Sequence, residues 1–130
     1  MAHYLDTSAL VKLVVAEAET DALRQWLSET PRQAVACDLV RTELMRAVRR
    51  VAPDRAARAR QVLDGLTLTE VTPSIFEQAG RLDPVELRTV DAVHLTAALD
   101  LGDDLEGVVS YDDRLSAAAE RVGVAVISPR

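Results

Sequence analysis

The sequence predicts an α/β domain built on a short, mostly parallel sheet flanked by helices. Three observations carry that expectation. Short apolar runs alternate with stretches of helical periodicity along the whole chain, an order that brings successive strands parallel. Pro and Gly fall singly at the boundaries of these segments, so nothing divides the 130 residues, the length of one ordinary domain, into parts. An acid, Asp6, closes the first apolar run. It thereby stands at the carboxyl end of a strand, the rim where open α/β sheets bind ligands.

The elements follow in order. A strand is expected over about residues 2–6, then helical stretches over Ser8–Ala16 and Glu19–Glu29, with Pro31 breaking the pattern. Ala34–Cys37 reads as a strand leading into Asp38, an N-cap for a helix through Val51. Pro53-Asp54 separates that helix from Arg55–Leu63, which Gly65 closes; Leu68–Val71 reads as a strand and Pro73-Ser74 opens a helix to Leu82. Asp83-Pro84 is a turn, and Thr89 caps a helix from Val90 to Leu101 that Gly102 ends. A strand Val108–Ser110, a helix Arg114–Arg121 and a strand Val124–Ile127 complete the chain.

Composition narrows the functional classes. The single cysteine, Cys37, gives neither an internal disulfide nor a zinc pattern and reads as a buried strand thiol. No signal peptide is visible and no apolar stretch is long enough to span a bilayer, so a cytoplasmic protein with no membrane partner is expected. The formal charge is −6, yet residues 41–60 hold seven arginines against two acids, a local excess of +5 on a body of −11. Such a stretch can hold a polyanion or simply form a solvated helix pair. No Ser-His-Asp order, P-loop or glycine-rich dinucleotide loop is present.

Asp6, Glu43, Asp91 and Asp112 all stand near the start or edge of an element. Converging carboxylates repel one another and resist ionisation. A hard divalent cation relieves that repulsion, and oxygen-only ligation suits magnesium or manganese. A structural role competes at each position. Asp6 can cap the following helix, as Thr7 or Ser8 can; Glu43 flanks the apolar stripe of Val40, Leu44, Ala47, Val48 and Val51 and can pair with an arginine. Asp91 lies in a first helical turn, where the macrodipole favours an acid, and borders the stripe Val90, Val93, Ala97, Ala98 and Leu101. His94, near the middle of that stripe, reads as a buried, neutral, hydrogen-bonded histidine. Either Asp112 or Asp113 can cap the next helix, and only one needs to face the site.

Four segments together resemble the PIN-domain family, and within it the VapC-type toxin ribonucleases. They are Tyr4-Leu5-Asp6-Thr7-Ser8-Ala9-Leu10, Arg41-Thr42-Glu43-Leu44, Thr89-Val90-Asp91-Ala92-Val93-His94-Leu95 and Val109-Ser110-Tyr111-Asp112-Asp113-Arg114-Leu115. Their order and spacing match the family over the whole chain, with serine at 110 where threonine is usual.

The resemblance implies a magnesium- or manganese-dependent endoribonuclease toxin. Asp6, Asp91 and Asp112 would hold metal, and Glu43 would ligate directly, ligate through water, or position the nucleophile. Ser110 would stand beside the substrate. A homodimer and a small VapB-like antitoxin that silences the enzyme are implied with it. The arginine-rich stretch offers Arg46, Arg49 and Arg50 as candidates for RNA phosphates, with Asp112 rather than Asp113 expected at the metal and Asp113 as the helix cap. Leu10, Leu13, Val14 and Trp26 offer apolar surface for the dimer. The alternatives are a catalytically inactive PIN-like module that binds RNA or protein, and a phosphatase-like hydrolase acting through Asp6.

Overall fold

The computed structural model describes residues 1–130. Five strands form one sheet: β1 (Ala2–Leu5), β2 (Gln33–Cys37), β3 (Thr67–Thr69), β4 (Leu105–Val109) and β5 (Val126–Ile127). Their order is β3-β2-β1-β4-β5 and every pairing is parallel, so the sheet is wholly rather than mostly parallel. Seven helices connect and cover it: α1 (Thr7–Val14), α2 (Thr20–Glu29), α3 (Leu39–Val51), α4 (Ala56–Asp64), α5 (Pro73–Gly80), α6 (Thr89–Leu99) and α7 (Asp113–Arg121).

Residue alternation on the strands explains why both faces need cover. Leu5, Ala36 and Val109 pack with Leu10, Val14, Leu23, Leu44, Val48 and Leu63 on the side of α1 to α4. Tyr4, Val35, Cys37 and Val108 face the other way and pack with Ile75, Val93, Ala97 and Ala98 of α5 and α6. Each fully buried leucine contributes about 1.5–3 kcal/mol by leaving water. Eight of the eleven residues of α6 are buried, Asp91 and His94 among them. That helix is therefore an internal beam; its buried Asp91 and His94 have hydrogen-bond partners, whereas the buried Thr96 hydroxyl has none. Val90, assigned to its buried stripe from the sequence, is instead 42% exposed.

Several boundaries move for visible reasons. The first helix stops at Val14, short of Ala16, because the Thr20 hydroxyl donates to the Lys12 carbonyl and accepts from the Glu17 amide, turning the chain there. β5 is two residues long because only Val126 and Ile127 find partners, Val108 and Val109. Gly107 lets that edge strand close up: a Cβ there would lie 2.4 Å from Ile127 Cδ1. Arg88, not Thr89, occupies the N-cap of α6, and no side chain caps that end. Asp38 caps α3 by position only; its carboxylate pairs with Arg41 instead.

The apolar face assigned to dimerisation is largely used within the chain. Leu10 and Val14 are fully buried. Trp26 is half-buried, edge-on to His3 with ring centroids 4.9 Å apart and covered by the Arg32 guanidinium at 3.9 Å.

Candidate metal-dependent active site

The sheet delivers its acids to the carboxyl ends of the two central strands. Asp6 follows β1, and Ser110 and Asp112 follow β4, its neighbour. Asp6 is 4% exposed and caps α1 by accepting from the Ala9 amide at 3.3 Å. Its capping role and its place at the rim therefore coexist. Both oxygens are held by hydroxyls: Ser8 donates to Oδ1 at 2.5 Å and Ser110 to Oδ2 at 2.7 Å. Each hydroxyl in turn accepts a backbone amide of the loop after β4, Ser8 from Tyr111 at 2.9 Å and Ser110 from Asp112 at 3.1 Å. The result is a symmetric clamp that fixes the Asp6 carboxylate and the Asp112 backbone to each other. Burial raises the Asp6 pKa, and the three donated hydrogen bonds and the charge of His94 offset this only in part.

Glu43, on α3, accepts from the Thr7 hydroxyl at 3.0 Å and faces His94 Nε2 at 2.5 Å, both through Oε1. Oε2 has no partner within the protein and is the oxygen available to a ligand. His94 is 2% exposed, and its Nδ1 meets the Tyr4 hydroxyl at 2.7 Å and Cys37 Sγ at 3.7 Å. Burial alone would lower its pKa. Hydrogen bonds to Cys37 and Glu43, with their charge, outweigh that and push it up to about 10. The histidine is hydrogen-bonded and buried as the sequence suggested, and its carboxylate and thiol neighbours favour its protonated form over the neutral one expected.

Asp91 is 6% exposed and stands in the first turn of α6. Arg88 joins it to Asp112: Nε donates to Asp91 Oδ2 at 2.9 Å and Nη2 to Asp112 Oδ2 at 3.4 Å. The other Asp112 oxygen accepts from the Arg114 and Leu115 amides at 2.9 and 3.0 Å. Asp112 is thus itself the N-cap of α7, and Asp113, expected as the cap, is the exposed first residue of the helix. Oδ1 caps while Oδ2 faces the site, so one side chain does both jobs.

Asp6, Asp112 and Asp91 therefore join one hydrogen-bonded network at the sheet rim, through Ser110 and Arg88, while Glu43 is held separately by His94 and by Thr7, the residue after Asp6. They do not form a ready cage, since no three potential ligands stand close enough to share a cation as arranged. Arg88 lies between Asp91 and Asp112, and Glu43 is drawn toward His94. The donor chemistry nonetheless fits a hard divalent cation, being carboxylate and hydroxyl oxygen throughout, with a buried Asp6 that a positive charge would relieve. Arg46, Arg49 and Arg50 are exposed on α3, form no ion pair, and line one concavity of about 240 Å³. Arg46 and Arg50 lie three and seven residues beyond Glu43, on the same side of the helix.

Sequence reasoning passed over Arg88 as a member of the site. Its position three residues before Asp91 was the available signal, because those residues meet across one helical turn. Thr7 and Ser8 had been given only capping roles.

Comparison with known proteins places this arrangement. The sequence profile of a family described as PIN domain matches residues 3–121. Ribonuclease VapC46 of Mycobacterium tuberculosis is 45% identical over 128 residues, covering 98% of either chain. The crystal structure of Mycobacterium tuberculosis VapC20, described as a sarcin-ricin loop cleaving toxin, superposes with a TM-score of 0.80 at 20% identity, over 98% of this chain and 100% of that one. A toxin-antitoxin complex from Klebsiella pneumoniae gives 0.74 at 21% identity, over 100% and 98%. At such identities the two structures speak for the fold.

Proposed function

The chain belongs to the PIN-domain family, among the VapC ribonucleases, and from that premise we propose that it is a divalent-metal-dependent endoribonuclease, the toxin of a toxin-antitoxin pair. The observation that carries this is the clamped Asp6: a buried carboxylate with both oxygens fixed, joined through hydroxyls to Asp112 and set at the rim with Glu43 and Asp91.

Asp6, Asp91 and Asp112 would hold Mg²⁺ or Mn²⁺, with Glu43 offering Oε2 directly or through water. The bound ion supplies positive charge against the negative charge that develops on the phosphate, and makes an attacking water more acidic. Glu43, fixed by Thr7 and His94, orients that water and accepts a hydrogen bond from it. Ser110 keeps the Asp6 carboxylate in one orientation throughout. Arg46, Arg49 and Arg50 continue the helix away from Glu43 and suit the phosphates of an RNA strand laid along it.

A small antitoxin is proposed as the partner, supported by the kinship with VapC ribonucleases and the likeness to a chain of the Klebsiella pneumoniae toxin-antitoxin complex. A homodimer is proposed through the exposed apolar residues Phe76, Val85 and Val90, two of which border one groove between α5 and α6. Light scattering at micromolar concentration reads it, and a monomer would reject it. No helix is long and apolar enough to cross a membrane, in keeping with a proposed cytoplasmic location.

The deciding experiment incubates purified protein with structured RNAs, with Mg²⁺, with Mn²⁺ and with chelator. Internal cleavage only in the metal arms is expected, and none with Asp6→Asn. Binding without cleavage under every condition would instead support an inactive RNA-binding module.

A further inference from the structure

Arg88 is the only guanidinium that touches any of the four acids. Its surroundings set it apart from the other arginines. Arg55 and Arg58 are tied to the carbonyls of Val14 and Leu13, Arg32 lies flat on Trp26, and Arg41 pairs with its neighbour Asp38. Arg88 instead reaches from the uncapped start of α6 across to the loop before α7, so its two contacts tie together two elements and two acids.

Its hold is asymmetric and open. The Arg88 side chain is 61% exposed, whereas that of Asp91 is 9% exposed. Neither carboxylate is gripped by both arms of the fork: Nε serves Asp91 and Nη2 serves Asp112, the latter at 3.4 Å. The longer contact to the more exposed Asp112 gains little over water, and the contact to the buried Asp91 carboxylate is one that only another cation can replace. A divalent ion takes carboxylate oxygens directly and concentrates twice the charge, so it displaces such a contact. What leaves the acids is still anchored by its own backbone at the same rim. A planar fork of donors is then free where a phosphate must arrive, and that fork matches phosphate oxygens in geometry and charge.

We infer that Arg88 is an exchangeable cation of this site: it holds Asp91 and Asp112 together in the metal-free protein, yields both to a divalent ion, and then binds a phosphate oxygen of the RNA. The inference rests on the ribonuclease reading and adds a substrate-binding residue to it.

The test separates the two halves of the exchange. Mn²⁺ affinity is measured by titration calorimetry without RNA, and kcat and KM for RNA cleavage at saturating Mn²⁺, for wild type, Arg88→Ala and Arg88→Lys. Because the side chain is exposed, both variants should fold, and their melting temperatures in chelator check this. Arg88→Ala should bind Mn²⁺ more tightly, about threefold, having lost a competing cation. It should cleave RNA about tenfold more slowly, having lost a charge-assisted contact. The dependence of log RNA affinity on log salt should flatten by about 0.7. Arg88→Lys should keep the salt slope and recover only part of the rate, since a point charge replaces the fork. Unchanged or weaker Mn²⁺ binding in Arg88→Ala overturns the exchange, and cleavage equal to wild type overturns the phosphate role. A wild-type protein that cleaves no RNA brings down the ribonuclease reading and this inference with it.

Discussion

Replacing Glu43 with glutamine removes the carboxylate that faces a buried imidazolium, and the structure sets the size and pH dependence of the loss. His94 is 2% exposed and meets Glu43 at 2.5 Å. Burial works against its charge, while hydrogen bonds and charge from Cys37 and Glu43 overcome burial, raising the pKa from 6.5 to about 10. That span corresponds to about 5 kcal/mol at about 1.4 kcal/mol per pH unit. Part of it depends on thiolate character at Cys37, and Glu43 is 30% exposed to screening water. About 2 kcal/mol is then the share that Glu43→Gln removes. Because the folded pKa lies above the unfolded one, this stabilisation is complete below 6.5 and is lost as pH rises to about 10. Urea unfolding in chelator should show wild type more stable than Glu43→Gln by about 2 kcal/mol at about pH 6, and the two nearly equal at about pH 10. The two histidines, His3 and His94, make a ring-proton NMR titration tractable. A gap that does not change with pH, or a His94 ring that loses its proton below pH 6.5, would refute the assignment of charge to this pair.

Three further outcomes are expected. Asp6→Asn should abolish RNA cleavage while melting in chelator no lower than wild type, since asparagine caps α1 as well as aspartate does and avoids the buried charge; retained cleavage would remove Asp6 from the site. Asp112→Asn should keep the α7 cap but lose activity, Asp112→Ala should lose activity and about 1 kcal/mol of stability as well, and Asp113→Ala should leave both near wild type. Equal activity losses at 112 and 113 would show that both carboxylates face the metal. Replacing Arg49 and Arg50 together with alanine should weaken RNA binding evenly across sequences and flatten its salt slope by roughly 0.7–0.9 per lost contact. Mn²⁺ affinity should not move, and wild-type RNA affinity and slope in that variant would mark the concavity on α3 as a solvated face.

What the sequence revealed about this site was its local part. Asp6 ends an apolar strand, and both facts are written within a few residues of one another. Alternating strands and helices likewise signalled the parallel sheet, because right-handed crossovers leave little other choice. Pairings across the fold were hidden. His94 looked like a neutral filler because it lies near the middle of an apolar helical stripe, and Glu43 lies 51 residues away. The family's spacing after Ser110 pointed to Asp112 for the site, but which of Asp112 and Asp113 caps α7 was not legible; the direction in which α7 leaves the sheet decides it. Trp26 looked available to a partner until Arg32, six residues on, was seen lying across it.

The clamp on Asp6 has a bearing on how a cell survives making this protein. Asp6 and Ser110 are 104 residues apart, and their hydrogen bond requires β4 to be seated beside β1. Asp112 follows still later, and β5, whose Ile127 carbonyl accepts the Ser110 amide, comes last. Contacts of such separation form only after most of the chain is available to close the loop. A nascent or prematurely terminated chain carries Asp6, Glu43 and Asp91 but has no means of fixing them around a phosphate. With the site as proposed, fragments that stop before Ser110 lack the clamp and should leave RNA intact.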